Sequence, residues 1–317
     1  MKLALAGDTM LGRGVAARLE SDGSESLFAS EVVQIAREAD LFVLNLECCV
    51  SGRGEPWPDP RKPFFFRAPP QAVRALAHLG VDCVTLANNH ALDFGDRALL
   101  DTLDHLASAG IVAVGAGPTV DRARAPAVLE AGRFRLAVIG VADHPTDFAA
   151  GPDRPGVAFA ELSAGIPEWL LDAVRTVDSD AVLVTPHWGP NMTPEPVPHV
   201  RRAARELVDA GATLIAGHSA HVFHGVDGRV MFDLGDFVDD YAVDPVLRND
   251  LGMFFMVTLD ERGPIRLEAV PLKLDFCYTG VAGGEDAAWI GRRFREACAA
   301  FGTEVTEQDG RQVVTWS

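Results

Sequence analysis

The chain has 317 residues, 48% of them hydrophobic, which is enough to bury a large core in one big domain or two small ones. Its formal net charge of −17 argues against non-specific nucleic-acid binding, because such binding depends on Lys and Arg side chains that neutralise phosphates. No basic stretch suits an anionic membrane surface. We therefore expect neither a nucleic-acid nor a membrane partner, and composition leaves the oligomeric state open.

The cysteines and the termini bear on the compartment. The five cysteines lack the regular spacing of a disulfide framework, and no pair is spaced like a zinc knuckle. The N-terminal residues do not form the basic region and long apolar stretch of a signal peptide, and no apolar run approaches the ~20 residues of a membrane span. These features lead us to expect a cytoplasmic protein with reduced thiols.

Short apolar runs typical of strands buried on both faces alternate with amphipathic stretches in the first two thirds of the chain. The predicted strands are residues 2–6, 41–46, 83–86, 112–114, 136–141, 181–185 and 213–216. The predicted helices are residues 71–78, 97–109, 167–177 and 200–210. This alternation predicts an α/β fold with a largely parallel sheet.

The last third is richer in strands. Residues 222–226, 230–234, 253–260 and 265–274 are predicted strands, with a hairpin at 226–229 and a turn at 260–264. A closing helix is predicted at 287–300. We expect one domain over residues 1–280, with residues 281–317 forming a C-terminal helix and tail packed on it. The long loop at 51–67 is rich in Pro and aromatic residues, and ordered loops of this length tend to be functional.

Polar groups able to bind a metal follow successive apolar runs, each near the point where a predicted strand ends. In open α/β sheets ligands bind outside the carboxyl ends of the strands, so these groups should converge if the sheet is parallel. Each group taken alone has an ordinary explanation as a turn residue, a helix cap or a structural histidine. Together they predict a single site. The groups are Asp8, Asn45, Glu47, Asn88, Asn89, His90, His187, His218 and His221.

The other five histidines are interpreted as residues on the surface of helices or loops. His144 differs from the others in that it also follows a predicted strand. The set consists of His78, His105, His144, His199 and His224.

The candidate ligands include no thiolate. Carboxylate, imidazole and amide groups suit Mn, Fe or Zn rather than a closed structural zinc site. Two ions bridged by a carboxylate would use this many ligands, and ions about 3.5–4 Å apart can clamp a displacement at phosphorus. We therefore expect a divalent transition metal, in two copies.

The sequence resembles the CapA-type poly-γ-glutamate capsule synthesis family, a branch of the calcineurin-like metallophosphoesterase superfamily. The resemblance covers about residues 1–260 and is carried by the segments AGDTMLGR (6–13), NLE (45–47), LANNHALDFG (86–95), HWG (187–189), GHSAH (217–221) and LGDFVDDY (234–241). It implies a metallophosphoesterase-like β-sandwich flanked by helices, a four-layer αββα fold, and metal dependence.

The resemblance also implies roles for individual residues. Asp8 is similar to the family's first metal ligand, Glu47 to its bridging carboxylate and Asn89 to its amide ligand. His90 would then lie beside the substrate. Three further residues resemble the imidazole ligands: His187, His218 and His221.

One position departs from the superfamily pattern. The usual first triplet is Asp-x-His, but this chain has Met10 two residues after Asp8, so one metal would lose an imidazole. Either that site is weaker or another group compensates, and Asp236 is the candidate. The expected substrate-binding set consists of Arg67, Arg248 and Asp236. The two arginines are included because guanidinium groups pair well with anionic substrates.

His90 and Asp93 form a candidate catalytic pair. Their spacing of three residues is about one helical turn, so the carboxylate could fix the imidazole tautomer and raise its pKa for general acid catalysis. The alternative is that Asp93 caps the helix that begins near Gly95.

These observations favour hydrolysis of a phosphate mono- or diester by a metal-activated water. An alternative is a hydrolase or transferase acting on an amide or γ-glutamyl linkage, which the family's association with capsules suggests. A third possibility is a non-catalytic metal-binding component of polymer synthesis. The expected partner is a small anionic substrate or a γ-glutamyl compound. Family members in capsule synthesis are typically membrane-anchored, which this chain is not expected to be.

Overall fold

The structure is a computed structural model that describes residues 1–316. Within them lie twenty strands: β1 (Lys2–Thr9), β2 (Leu41–Leu46), β3 (Cys49–Val50), β4 (Arg67–Ala68), β5 (Cys83–Thr85), β6 (Val112–Val114), β7 (Ala116–Gly117), β8 (Ala127–Ala131), β9 (Phe134–Ala142), β10 (Gly156–Val157), β11 (Ala181–His187), β12 (Leu214–Ala216), β13 (Val226–Asp227), β14 (Val230–Met231), β15 (Asp236–Val238), β16 (Leu251–Asp260), β17 (Gly263–Asp275), β18 (Tyr278–Val281), β19 (Thr306–Gln308) and β20 (Arg311–Thr315).

The same residues contain eight α-helices: α1 (Arg13–Asp22), α2 (Ser30–Ala36), α3 (Val73–Leu79), α4 (Gly95–Ser108), α5 (Val120–Arg124), α6 (Glu168–Thr176), α7 (Pro198–Ala210) and α8 (Gly284–Ala299). Short 3-10 turns occupy Pro70–Ala72 and Thr146–Phe148.

Two large sheets organise the chain. The first has the order β19-β20-β17-β16-β1-β2-β5-β6, with β15 added beside β1 and β18 beside β17. Its β1, β2, β5 and β6 are parallel, whereas β16 runs antiparallel to β1. The second has the order β13-β14-β12-β11-β9-β8, and its β9, β11, β12 and β14 are parallel. The first sheet therefore has a parallel half and an antiparallel half, and the second has a parallel centre with an antiparallel strand at each edge.

The two sheets pack face to face because their strands are apolar on both sides. Successive residues of a strand point to opposite faces, so Leu3 and Leu5 enter the core between the sheets, where Leu183 of the second sheet also lies. Ala4 and Phe42 face outward and pack beneath helices α1 to α4. Helices α6 and α7 cover the outer face of the second sheet. This arrangement confirms the predicted four-layer αββα sandwich.

Most predicted elements are present with shifted ends, and the hairpin and turn of the last third are confirmed as β13–β14 and β16–β17. The predicted strand at 222–226 is wrong: only Val226–Asp227 pairs as a strand, and Phe223 makes an isolated bridge to Leu234. Val222 and Phe223 are apolar because their side chains are buried in the core, and they do not belong to a strand.

The C-terminal residues join the sandwich. Ile290, Phe294 and Cys298 of α8 lie in the core between the sheets, and β20 pairs with β17 in the first sheet. Strands β19 and β20 extend that sheet beyond what the sequence predicted. The division at residue 280 stays a prediction. Across residues 1–316, none of the helices has the length and apolar character needed to cross a bilayer.

A close backbone contact places β15 beside β1. The Asp8 N–H donates to the Gly235 carbonyl oxygen at 2.9 Å. A Cβ atom on Gly7 would lie 1.8 Å from that same oxygen, so only glycine fits there. The register that results sets Asp8 opposite Asp236.

We expect Gly7→Ala to destabilise the fold, because the methyl group must push β15 away from β1. Overpacking in a core costs about 1–3 kcal/mol or more, which a urea titration would measure as a lower midpoint. Gly52→Ala is the control, because a Cβ there meets no atom within 4 Å. Equal midpoints for Gly7→Ala and the unsubstituted protein would contradict the contact.

Candidate metal centre

The carboxyl ends of the parallel strands meet at one edge of the sandwich. In the first sheet Asp8 lies opposite Asn45 on β2 and opposite Asp236 on β15. In the second sheet His187 ends β11 and forms a bridge to His218, which follows β12. The strand-end groups of both sheets therefore converge on one place, as the sequence predicts.

Two groups of buried donor atoms stand close enough to hold metal ions. One consists of Asp8, Glu47 and His187, and the other of Asp8, His221 and Asp236. Within each group the donor atoms lie within 4.8 Å of one another. Asp8 is the carboxylate common to both groups, whereas the sequence analysis expected Glu47 to bridge, and the bridging role of Glu47 stays a prediction.

The fit to a cation is tested by the hydrogen bonds of these atoms. Buried polar atoms are almost always satisfied, because an unmade hydrogen bond costs about 1–3 kcal/mol. Within residues 1–316, seven candidate ligand atoms are buried without a hydrogen-bond partner. They are Asp8 Oδ2, Glu47 Oε1, Asn89 Oδ1, His187 Nδ1 and Nε2, His218 Nδ1 and Asp236 Oδ2. Bound cations would satisfy many of these atoms, with one ring nitrogen of His187 facing an ion, and the oxygen and nitrogen donors suit Mn, Fe or Zn.

Charge is crowded in this cluster. Burial, together with the charges of Asp8 and Asp236, raises the pKa of Glu47 well above its ordinary value. Burial also raises the pKa of Asp236, although His221 opposes the shift. In Asp8 burial is outweighed by the nearby histidines His218, His221 and His187, so its pKa is lowered. A bound cation would favour the ionised form of all three carboxyl groups.

The histidines differ in their partners. His187 is fully buried, and burial holds its pKa well below the usual range, which leaves the neutral imidazole that metals bind. His218 places Nε2 3.0 Å from the Thr185 hydroxyl, so Nδ1 is the nitrogen left for a ligand. His221 places Nδ1 2.8 Å from Asp236 Oδ1 and 3.3 Å from Asp8 Oδ2.

Asn88 and Asn89 have separate tasks. The Asn88 side chain donates to Asn45 Oδ1 and to the Leu46 carbonyl oxygen, both at 2.9 Å, and it accepts the His90 N–H. These bonds fix the turn after β5. Asn45 in turn donates to Asp8 Oδ1 at 2.7 Å. Asn89 keeps its side-chain oxygen Oδ1 without a partner, which fits the predicted amide ligand.

The structure brings His90 and Asp93 together. His90 Nδ1 lies 2.6 Å from Asp93 Oδ2, and the Phe66 N–H donates to the same oxygen at 2.6 Å. Asp93 does not cap α4, since Phe94 holds the N-cap position and no side chain caps that helix. The expectation of a raised His90 pKa is wrong, because burial outweighs the charge of Asp93 and lowers it to about 4.

Two residues beside the site were not predicted from sequence. Lys62 lies in the loop at 51–67, donates to the Asn89 carbonyl oxygen at 2.8 Å and sits 2.9 Å from Asp93 Oδ1. Tyr241 places its hydroxyl 3.4 Å from Glu47 Oε2. The position of Lys62 in that loop and of Tyr241 in the segment LGDFVDDY were the only signals available.

The two arginines predicted to bind substrate have other contacts. Arg67 stacks its guanidinium 4.2 Å from the centre of the Phe94 ring. Arg248 pairs with Asp250 at 2.7 Å and with Asp286 at 3.1 Å. These contacts occupy the guanidinium groups, and a substrate-binding role for either arginine stays a prediction.

The chain is similar to known proteins of bacterial capsule and polymer synthesis. The family profile described as "Bacterial capsule synthesis protein PGA_cap" matches residues 2–241. A polyglutamine synthesis accessory protein of Mycobacterium tuberculosis is 30% identical, with 95% of this chain and 92% of that protein covered. The PGA biosynthesis protein CapA of Bacillus subtilis is 30% identical, with 84% of this chain and 70% of that protein covered.

A likeness in structure accompanies the likeness in sequence. The crystal structure of a hypothetical protein from Thermus thermophilus matches with a TM-score of 0.52 and 16% identity. The match covers 86% of this chain and 99% of that chain, and it bears on the fold alone.

We expect the purified protein to carry a divalent transition metal that depends on the two donor groups. His187→Ala and His221→Ala should each remove most of the metal, because each leaves one group with only two donors. Elemental analysis of the purified variants measures the content.

Asp93→Ala is the matched control, since Asp93 belongs to neither donor group and should leave the metal in place. Full metal content in the His187→Ala, His221→Ala double variant would mean that the ion is held elsewhere.

Proposed function

The chain belongs to the bacterial capsule synthesis family PGA_cap, a member of the metallophosphoesterase-like superfamily, and from that premise we propose that it is a metal-dependent hydrolase acting on a phosphate mono- or diester. The observation that supports the proposal most is the shared carboxylate. Asp8 belongs to both donor groups, so two neighbouring ions could be held with one ligand in common.

The ligand roles follow from the donor atoms. Asp8, Glu47 and His187 would hold one ion, and Asp8, His221 and Asp236 the other. Asp236 thereby compensates for the imidazole that Met10 does not provide. Asn89 and His218 each keep a buried atom without a partner and would complete the two sets. When bound, such ions supply Lewis acidity that activates water and offsets negative charge at phosphorus.

His90 is the proposed acid for the leaving group. Asp93 holds Nδ1, which leaves Nε2 to face a substrate. Burial disfavours the charged imidazole, and the negative charge of an arriving phosphoryl group would favour it. Phe66 stacks on the His90 ring with the centroids 4.0 Å apart, which holds the ring in this orientation.

A second candidate function keeps the metal centre and changes the bond. The names of two relatives refer to polyglutamine synthesis and to PGA biosynthesis, which favours an amide or γ-glutamyl linkage as the target. A third candidate is a non-catalytic metal-binding component of polymer synthesis. A hydrolysis screen of phosphomonoesters, phosphodiesters and γ-glutamyl peptides distinguishes the three candidate functions. We also propose that the substrate is a small anionic compound and that the protein acts in the cytoplasm.

We expect His90→Ala to keep its metal and to lose turnover mainly on substrates with poor leaving groups. General acid catalysis contributes about 10²–10⁴-fold, and an activated aryl phosphate needs little of it, because its leaving group departs without a proton. Steady-state kcat/KM across a series of leaving groups measures the difference.

His105→Ala, in the last turn of α4 and away from the pair, is the control and should leave every rate unchanged. Equal losses for activated and unactivated esters would rule out the acid role. Loss of metal in His90→Ala would make the residue a ligand, and turnover of γ-glutamyl peptides alone would favour the second candidate.

A further inference from the structure

A second carboxylate–imidazole pair follows strand β9. The strand lies beside β11 in parallel register, with Ala142 opposite His187. Asp143 and His144 come next in the chain, at the same carboxyl edge that presents His187 and His218. The Asp143 N–H donates to the His187 carbonyl oxygen at 3.1 Å, so the new pair is fixed directly to the backbone of a proposed metal ligand.

The carboxylate of Asp143 is held from several sides. Its Oδ2 accepts the Gly189 N–H at 2.9 Å and lies 3.5 Å from His199 Nε2. Its Oδ1 contacts His144 Nδ1. A buried carboxylate fixed in this way determines the orientation of the His144 ring, and within residues 1–316 the ring's other nitrogen, Nε2, has no hydrogen-bond partner.

His144 reaches the surface beside the metal centre. Its ring centroid lies 5.3 Å from that of His187. The two rings differ in accessibility, because the His144 side chain is 35% exposed whereas His187 is fully buried. A ligand arriving from solvent can therefore contact the His144 ring, whereas the neighbouring His187 ring is covered.

The segment after His144 packs against the loop that carries Lys62. Phe148 packs against Trp57 with ring centroids 4.9 Å apart, and the Lys62 ammonium lies 5.4 Å from the Phe148 ring. Lys62 contacts Asp93, which orients His90. Packed side chains of these two segments thus connect the two Asp–His pairs.

We propose that His144, oriented by Asp143, forms a binding subsite for a phosphoryl oxygen or a similar oxyanion beside the metal centre. Nε2 is the ring atom left to hydrogen-bond to the oxyanion, because Asp143 holds Nδ1. This inference rests on the proposed function, since it names a residue that would hold the anionic group of the substrate. It also supplies a contact for the anion while Arg248 is engaged by Asp250 and Asp286.

The test measures binding of inorganic phosphate to the metal-loaded protein by calorimetry, without any turnover. We expect His144→Ala to keep full metal content and to bind phosphate at least about tenfold more weakly, which corresponds to about 1.4 kcal/mol. His144→Asn, which retains a side chain able to hydrogen-bond, should lie between the two. His78→Ala is the control, because it removes a partly buried imidazole paired with Glu25 outside the site.

Kinetics provide a second measurement if an ester is turned over. His144→Ala should raise KM more than it lowers kcat, because the residue holds the anion and does not transfer the leaving-group proton. Unchanged phosphate binding in His144→Ala would overturn the subsite, as would loss of metal, which would make His144 a ligand.

The proposed function and the subsite can fail separately. Phosphate binding that depends on His144 in a protein that hydrolyses no ester would reject the hydrolase and keep the subsite. A parallel titration with L-glutamate distinguishes the two oxyanions. Stronger His144-dependent binding of glutamate than of phosphate would keep the oxyanion subsite and favour a γ-glutamyl substrate, whereas hydrolysis with no His144-dependent binding of either anion would reject the subsite alone.

Discussion

Three carboxylates, Asp8, Glu47 and Asp236, are buried where the carboxyl edges of the two sheets meet, with Glu47 and Asp236 each within reach of Asp8. Burying a carboxylate without a partner is costly, and burying three together adds mutual repulsion to that cost. The raised pKa values of Glu47 and Asp236 express this conflict. Positive charge entering this cluster would relieve the repulsion, and His187 and His218 offer a cation ring nitrogens that have no hydrogen-bond partner.

The architecture is built to impose this proximity. β1 contacts β2, β15 and β16, so the segment that carries Asp8 is held from three directions. The close approach of Gly7 to Gly235 allows β15 to reach β1, and both faces of β1 are covered, one by the second sheet and the other by helices. A rigid, dry setting of this kind fixes donor atoms with little reorganisation when an ion binds.

Sequence reasoning identified the groups that local pattern can reveal. Each of these groups lies within a few residues of the end of an apolar run, so the local sequence is enough to find it. They are Asp8, Glu47, Asn89, His187, His218 and His221. The contact of Asp8 with Asp236 depends on pairing across more than two hundred residues, which no local pattern encodes. Lys62 and Tyr241 reach the site from loops whose course follows from tertiary packing. The His90 pKa was misjudged for a related reason: the spacing to Asp93 is local, but the burial that outweighs it is a property of the whole fold.

The two Asp–His pairs show how one local arrangement acquires different tasks from its surroundings. His90 and His144 each place Nδ1 against a carboxylate that backbone N–H groups also hold. His90 is almost fully covered, with Phe66 stacked on its ring, so it can meet only a group that has already entered the site. His144 is partly open to solvent, so in our proposal it is the first of the two histidines to contact a ligand. Under our proposal, a substrate would have its anionic group recognised by His144 and its leaving group protonated by His90. Position at the strand ends alone would make the pairs equivalent, and their unequal burial is the reason we propose binding for one and leaving-group protonation for the other.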